Sequence, residues 1–227
     1  MSAIYLIRHG QASAGADDYD QLSSLGTQQA AHLGADLARR GIRPSAVISG
    51  ALKRHRQTAE HCLTGAGVDP SWDTQAHWNE YDHRQILAAY NPAYREMSAL
   101  RAATANQPDP KRFFRAELKA AFGRWLSGDF DDDYPESATA FQQRVQGALS
   151  ALPQPDGGPV WVFTSGGPIT VVTQTLMGLP MDTLLSVNAR LVNTGITKLV
   201  PGPGGWQLSS LNEHAAFESR PEWITYL

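Results

Sequence analysis

Apolar and partly β-branched residues fill positions 2 to 7 without polar alternation, the pattern of a strand buried on both faces, and the run stops at Arg8-His9-Gly10. The spacing then turns helical. Leu25, Ala30, Leu33 and Leu37 share one face of a helix predicted over residues 25–40, with Ser24 placed to cap it and Gly41 to end it. Pro44 opens a second short strand, Ala46-Val47-Ile48, which leads into Ser49-Gly50. A second helix is predicted over 53–63, closed by Gly65 and Gly67. Further on, a helix over about 136–152 precedes another buried strand, Val160-Trp161-Val162-Phe163. Thr164-Ser165-Gly166-Gly167-Pro168 follows and opens a helix running to Met177, and two late strands fall near 195–200 and 206–211.

Strands alternating with helices predict an α/β fold: a three-layer αβα sandwich around a mostly parallel sheet. Residues from about 78 to 135 break that rhythm, with helices near 84–90, 93–105 and 110–126 joined by loops rich in Pro, Asp and Gly. This stretch reads as an inserted helical cap within one domain spanning 1–227. At 227 residues the chain can bury one sizeable core.

Composition narrows the partners. A net charge of −3 offers no basic footprint for nucleic acid or an anionic membrane, and no apolar run approaches a bilayer span. With the first loop beginning at residue 8, no leader is expected ahead of the first strand. Cys62 is the only cysteine, so a reducing, cytoplasmic setting is expected.

The chemistry gathers at strand ends, where open α/β sheets bind ligands. Arg8 can clamp a phosphate, and the His9 imidazole can attack phosphorus or relay a proton. Lys53-Arg54-His55-Arg56 places cations on the first turn of a helix, whose dipole already favours anions; repelling groups so placed imply an anion between them. A solvated basic face is the plainer account of the same run. Ser165-Gly166-Gly167 is a nest of backbone N–H groups at a helix start. Trp78-Asn79-Glu80-Tyr81-Asp82-His83 sets carboxylates among aromatic rings, a setting that suits a general acid.

Taken in order, these segments resemble the histidine phosphatase superfamily, which includes the phosphoglycerate mutases. The resemblance rests on Arg8-His9-Gly10 followed by Gln11, on Leu22-Ser23-Ser24-Leu25-Gly26-Thr27-Gln28-Gln29-Ala30, and on Leu52-Lys53-Arg54-His55-Arg56-Gln57-Thr58-Ala59. Asn79-Glu80 and Glu136-Ser137 with Arg144 extend it over nearly the whole chain. It implies a phosphomonoesterase acting on a small phosphorylated substrate. His9 would become phosphohistidine, Glu80 would protonate the departing alkoxide, and Arg8 and Arg54 would hold the phosphoryl oxygens. Gly10, Gln11, Ser165 and Gly166 would complete the phosphate site. No metal or other cofactor is called for, because guanidinium and N–H groups supply the positive field. His9 must be unprotonated at its attacking nitrogen, so activity should fall in acid.

The chain departs from the family pattern in two places. Ser165 stands where the family has a second histidine; losing that charge-stabilising donor would cost about 3 kcal/mol, on the order of 100-fold in turnover. His55, in place of the usual alanine, and His214 in the tail are candidates to compensate, and His83 is close enough in sequence to Glu80 to line the pocket. Gly15 stands where mutases commonly carry an asparagine, which argues against mutase activity. Two other readings compete: a phosphate-binding protein of the same fold that has lost turnover, and a serine hydrolase using Ser165 with Asp182 and His214. His32, His61, His77 and the acidic loop of Asp129, Asp131, Asp132 and Asp133 read as solvated or structural, with no metal-ligand spacing.

Overall fold

The computed structural model describes residues 2–13 and 20–226. Its elements, in chain order, are β1 (Ile4–Arg8), α1 (Ser24–Arg39), β2 (Ala46–Ser49), α2 (Lys53–Gly65), β3 (Asp73–Thr74), α3 (His83–Tyr90), α4 (Met97–Ala105) and α5 (Pro110–Ser127). They continue with α6 (Ala138–Ser150), β4 (Val160–Thr164), α7 (Gly166–Met177), α8 (Leu184–Asn188), β5 (Ile196–Gly202) and β6 (Gly205–Glu213). Two compact units emerge, one from residues 1–80 and 145–227 and one from residues 81–144.

The first unit holds a mixed sheet of six strands in the order β3-β2-β4-β1-β5-β6. β1, β2, β3 and β4 pair in parallel, whereas β5 runs antiparallel to β1 and β6 antiparallel to β5. The two late strands form a hairpin closed at Gly202 and Gly205, and so tight a loop allows only the antiparallel arrangement. Every residue of β1 and β4 is buried, as their unbroken apolar runs predict. Strand alternation sends Tyr5, Ile7, Trp161 and Phe163 to one face, into a core shared with Leu33 and Leu37 of α1 and Ala59, Cys62 and Leu63 of α2. Ile4, Leu6, Val160 and Val162 face the other way, and α7 packs against β1.

α1 and α2 approach so closely that each carries a glycine at the crossing. A Cβ on Gly34 would lie 1.9 Å from the Cys62 carbonyl oxygen, and one on Gly65 would lie 2.2 Å from that of Ala31. Gly65 therefore belongs to helix packing, and the turn out of α2 is made by Gly67, at φ +65°. Gly34→Ala must push two backbones apart, and we expect a loss of about 1–3 kcal/mol, read as a lower urea midpoint with an unchanged m-value. An unshifted midpoint would show that the helices separate freely.

Local details differ from the sequence reading where the backbone, not the residue type, decides. Ser23 rather than Ser24 caps α1: its N–H is held by the Gln11 carbonyl, its backbone is extended, and its Oγ accepts the Gly26 N–H. The helix expected over 93–105 is broken by extended Glu96 into a 3-10 turn and α4. α6 starts two residues later than expected, with the Ser137 hydroxyl accepting the Ala140 N–H. β3 and α8 are too short to show an apolar period, so the sequence pattern does not predict them.

The second unit contains α3, α4 and α5 and runs into α6. Tyr81 and Trp125 pack against each other and against both Phe122 and Phe141, edge-to-face or tilted, with ring centroids 5.3 to 6.0 Å apart. Trp125 Nε1 donates to the Glu136 carbonyl, and Arg144 grips the Glu136 carboxylate with two nitrogens at 2.6 and 2.9 Å. The Glu136 and Arg144 pattern in the sequence is thus a bidentate ion pair. Among the described residues, no helix is long and apolar enough to cross a membrane, and no group of three or more His, Cys, Asp or Glu could hold a metal ion.

Candidate active site

β1, β4 and β2 end side by side, and the loops that leave them carry the polar residues of the first unit. Arg8 is the last residue of β1, paired in register with Thr164 of β4, and His9 N–H bonds the Thr164 carbonyl. Both Arg8 and His9 are buried. One Arg8 nitrogen donates to the Leu191 carbonyl, which anchors the guanidinium from the β5 side of the sheet.

The His9 ring has a defined proton. Its Nδ1 lies 2.7 Å from the Gly10 carbonyl oxygen, which can only accept, so Nδ1 carries the hydrogen. In the neutral ring the lone pair is then on Nε2. Burial first, and then the charges of Arg54, Arg8 and neighbouring His55, hold the His9 pKa well below the usual histidine value. A neutral imidazole with a free Nε2 lone pair beside two cations is equipped to attack an electron-poor centre borne by an anion.

Several motif residues act by fixing the loop around His9. The Gly10 N–H donates to Thr58 Oγ1 at 3.0 Å, and the Gln11 N–H to the Oε1 of fully buried Gln29 at 2.9 Å. The Gln11 side chain accepts from the Ser23 hydroxyl, so it is bound to the cap of α1. Gly10 and Gly26 have no room for side chains: a Cβ on Gly26 would stand 2.1 Å from the Gln11 carbonyl oxygen. Just ahead of β5, Asn193 donates to the His9 carbonyl at 3.1 Å, and Thr194 adopts φ +60°, a rare conformation for a β-branched residue.

Arg54 sits on the first turn of α2. Asp20 accepts from its Nη1 at 2.6 Å and, with its other oxygen, from the Lys53 N–H at 2.8 Å. Asp20 thereby supplies the cap that the α2 N-cap residue Leu52 lacks. The sequence offered no signal for Asp20 or Asn193, whose partners lie 34 and 184 residues away.

The end of β4 meets the same region. Ser165 is fully buried; His55 Nε2 is 2.6 Å from its Oγ and Arg54 Nη2 donates to it at 3.5 Å. The His55 and His9 ring centroids are 5.9 Å apart. Burial and Arg54 lower the His55 pKa well below the ordinary value, so this ring is neutral too. Glu80 accepts the Gly167 N–H at 3.1 Å, which puts its carboxylate at the start of α7. A Cβ on Gly166 would lie 1.8 Å from the Asn188 carboxamide oxygen, so a side chain there would displace Asn188.

His9, Arg8, Arg54, Gly10, Gln11, Ser165, Gly166, Glu80 and His55 therefore belong to adjoining strand ends of one unit. His214 does not join them. Its Nδ1 bonds the Asn212 carbonyl, and it lines a separate cavity with Leu33, Asp36 and Arg40, because β6 is the edge strand farthest from β2. The Ser165–Asp182–His214 grouping fails with it: Ser165 meets His55 instead, and Asp182 is exposed on a 3-10 turn. His83 opens α3 in the second unit, and Gly15 lies outside the described residues.

Comparison with known proteins follows this geometry. Several solved structures share the fold at low identity. A phosphoserine phosphatase variant from Entamoeba histolytica in complex with phosphoserine is 18% identical, with a TM-score of 0.62 over 95% of this chain and 99% of that one. A phosphoglycerate mutase from Bacillus anthracis is also 18% identical, with a TM-score of 0.61 over 94% of each chain. A putative α-ribazole-5′-P phosphatase from Escherichia coli is 20% identical, with a TM-score of 0.61 over 93% of this chain and 96% of that one. A search of curated proteins finds no match. Residues 4–214 match the model for the histidine phosphatase superfamily (branch 1). Because that match runs from β1 through the late hairpin, the chain belongs to the histidine phosphatase superfamily, branch 1.

Proposed function

We propose that this protein is a phosphomonoesterase that works through a phosphohistidine at His9 on a small phosphorylated substrate, without a metal. The observation that carries the reading is the 2.7 Å contact of His9 Nδ1 with the Gly10 carbonyl oxygen, which assigns the proton to Nδ1 and leaves Nε2 as the nucleophile within a field of two arginines. In the first step Nε2 bonds to phosphorus as the bond from phosphorus to the leaving oxygen breaks. The protonated Glu80 carboxyl gives its hydrogen to that oxygen, so an alcohol departs rather than an alkoxide. In the second step Glu80 takes a proton from water as the water oxygen attacks phosphorus. The N–P bond breaks, inorganic phosphate forms, and both side chains return to their starting states. Arg8 and Arg54 bear the charge on the equatorial oxygens in both steps.

Chemical trapping tests this directly. The protein is mixed with a 32P-labelled aryl phosphate and quenched within milliseconds. Label on protein that survives alkali and is lost in acid is expected, because phosphoramidates hydrolyse in acid whereas serine phosphate resists it. Acid-stable label on Ser165 would replace this reading with a serine mechanism. Tight phosphate binding with neither label nor release of alcohol would leave a binding protein of the same fold.

A further inference from the structure

We infer that His55 and Ser165 are positioning residues for Arg54: a buried, hydrogen-bonded pair that sets where its guanidinium meets a phosphoryl group. The inference rests on the phosphoryl-transfer reading above. Arg54 and His55 are consecutive on the first turn of α2, yet their side chains converge on one oxygen of the distant β4 end, His55 Nε2 at 2.6 Å and Arg54 Nη2 at 3.5 Å. Ser165 is the N-cap of α7, where a serine ordinarily accepts a backbone N–H of its own helix. Here it makes no such bond, and its oxygen serves α2 instead.

Hydrogen-bond accounting shows how one oxygen serves both side chains. A hydroxyl accepts twice and donates once. The guanidinium can only donate, so it takes one lone pair of Ser165. His55 Nδ1 is buried and has no partner. One hydrogen, carried by the ring or by the hydroxyl, bridges His55 Nε2 and Ser165 Oγ, so Ser165 binds His55 and Arg54 at once in either case. With Asp20 on Nη1 and Ser165 on Nη2, the guanidinium is held at two of its nitrogens.

The fold makes room for this ring at a cost in packing. A Cβ on Gly50 would lie 2.1 Å from His55 Nδ1, so His55 occupies space that any other residue at position 50 would fill. A fully buried imidazole with one unmatched nitrogen is a poor core residue; an apolar side chain would pack there without that penalty. Supporting an arginine that must not turn away gives the pair a purpose that packing does not.

The test combines inhibition by inorganic phosphate with kcat/KM on an aryl phosphate. Ser165→Ala, which deletes a single oxygen, is expected to weaken phosphate inhibition and lower kcat/KM, each by about 10-fold. His55→Leu, which keeps volume but no hydrogen-bonding group, should match it, whereas His55→Gln, whose carboxamide offers both a donor and an acceptor near the Nε2 position, should stay within about 3-fold of the parent. The double variant Ser165→Ala/Arg54→Ala should be no worse than Arg54→Ala alone. A multiplicative loss in that double variant would mean that Ser165 acts without Arg54 and would overturn the inference. So would an inert Ser165→Ala, or a Gln variant no better than Leu. Should the His55 variants not fold, Ser165→Ala and its cycle with Arg54→Ala decide alone. A parent protein that binds phosphate but forms no phosphohistidine sinks only the turnover reading, since the phosphate constants still test the pair. A parent that binds no phosphate overturns both.

Discussion

His9→Ala is expected to lower kcat/KM on aryl phosphates by at least about 10⁴-fold, the scale of removing the nucleophile from a preorganised site. Arg8 is held by the Leu191 carbonyl and Arg54 by Asp20 and Ser165, none of which depends on the His9 ring. The anion trap therefore survives the substitution, and inhibition by inorganic phosphate should change little. The split is what makes the result informative: binding kept, bond-breaking lost, and no acid-labile label on the protein. The His9 carbonyl still accepts from Asn193 and its N–H still reaches Thr164, so the loop should keep its path. Turnover within about tenfold of the parent, from a folded variant, would remove His9 from the mechanism.

Acid should unfold this protein earlier than its carboxylates would require. His9 and His55 are both held neutral, chiefly by burial and next by the Arg54 charge, so each binds its proton far less readily when folded than when unfolded. For groups of that sign, stability is intact above the unfolded histidine pKa of about 6.5 and drains away as pH falls below it, until the folded pKa is reached. While the folded ring stays neutral and the unfolded one is protonated, each ring contributes a slope of up to about 1.4 kcal/mol per pH unit, which is large against a typical domain stability of about 5–15 kcal/mol. Urea midpoints measured from pH 8 to pH 5 should be level at first and then fall, with His9→Ala removing about half of the slope. Midpoints that stay level to pH 5 would show that the rings are protonated, or reached by water, in the folded state. The same lowering of the His9 pKa moves the acid limb of kcat/KM. The fall of activity in acid that the sequence reading expects should therefore come well below the pH at which a free imidazole titrates.

How far the chain could be read in advance depended on the range of the interaction. β1 and β4 were plain because a strand buried on both faces must be apolar at every position. α1 and α2 were plain because helical periodicity is a property of neighbours, and each was found within two residues of its expected ends. The motifs around Arg8-His9-Gly10 and Leu52 to Ala59 also announced themselves, since close backbone approach and loop support demand particular residue types: Gly10, Gly26, Gln29 and Thr58 each answer one such demand.

Contacts across the sheet obey no local rule. His214 and His55 looked equivalent as stand-ins for the histidine absent at position 165. Strand order separates them, carrying β6 to the far edge and bringing the start of α2 against the end of β4. The grip of Asp20 on Arg54, the Glu80 contact with the start of α7 and the sharing of one serine oxygen by His55 and Arg54 arise in the same way. Local pattern was thus enough to name the strands, the helices and the residue types that phosphate chemistry needs, because burial and turn geometry act on adjacent residues. Which imidazole stands beside His9, and what restrains each arginine, was settled only by packing, because hydrogen bonds between residues 34 to 183 positions apart exist only once the sheet has chosen its order.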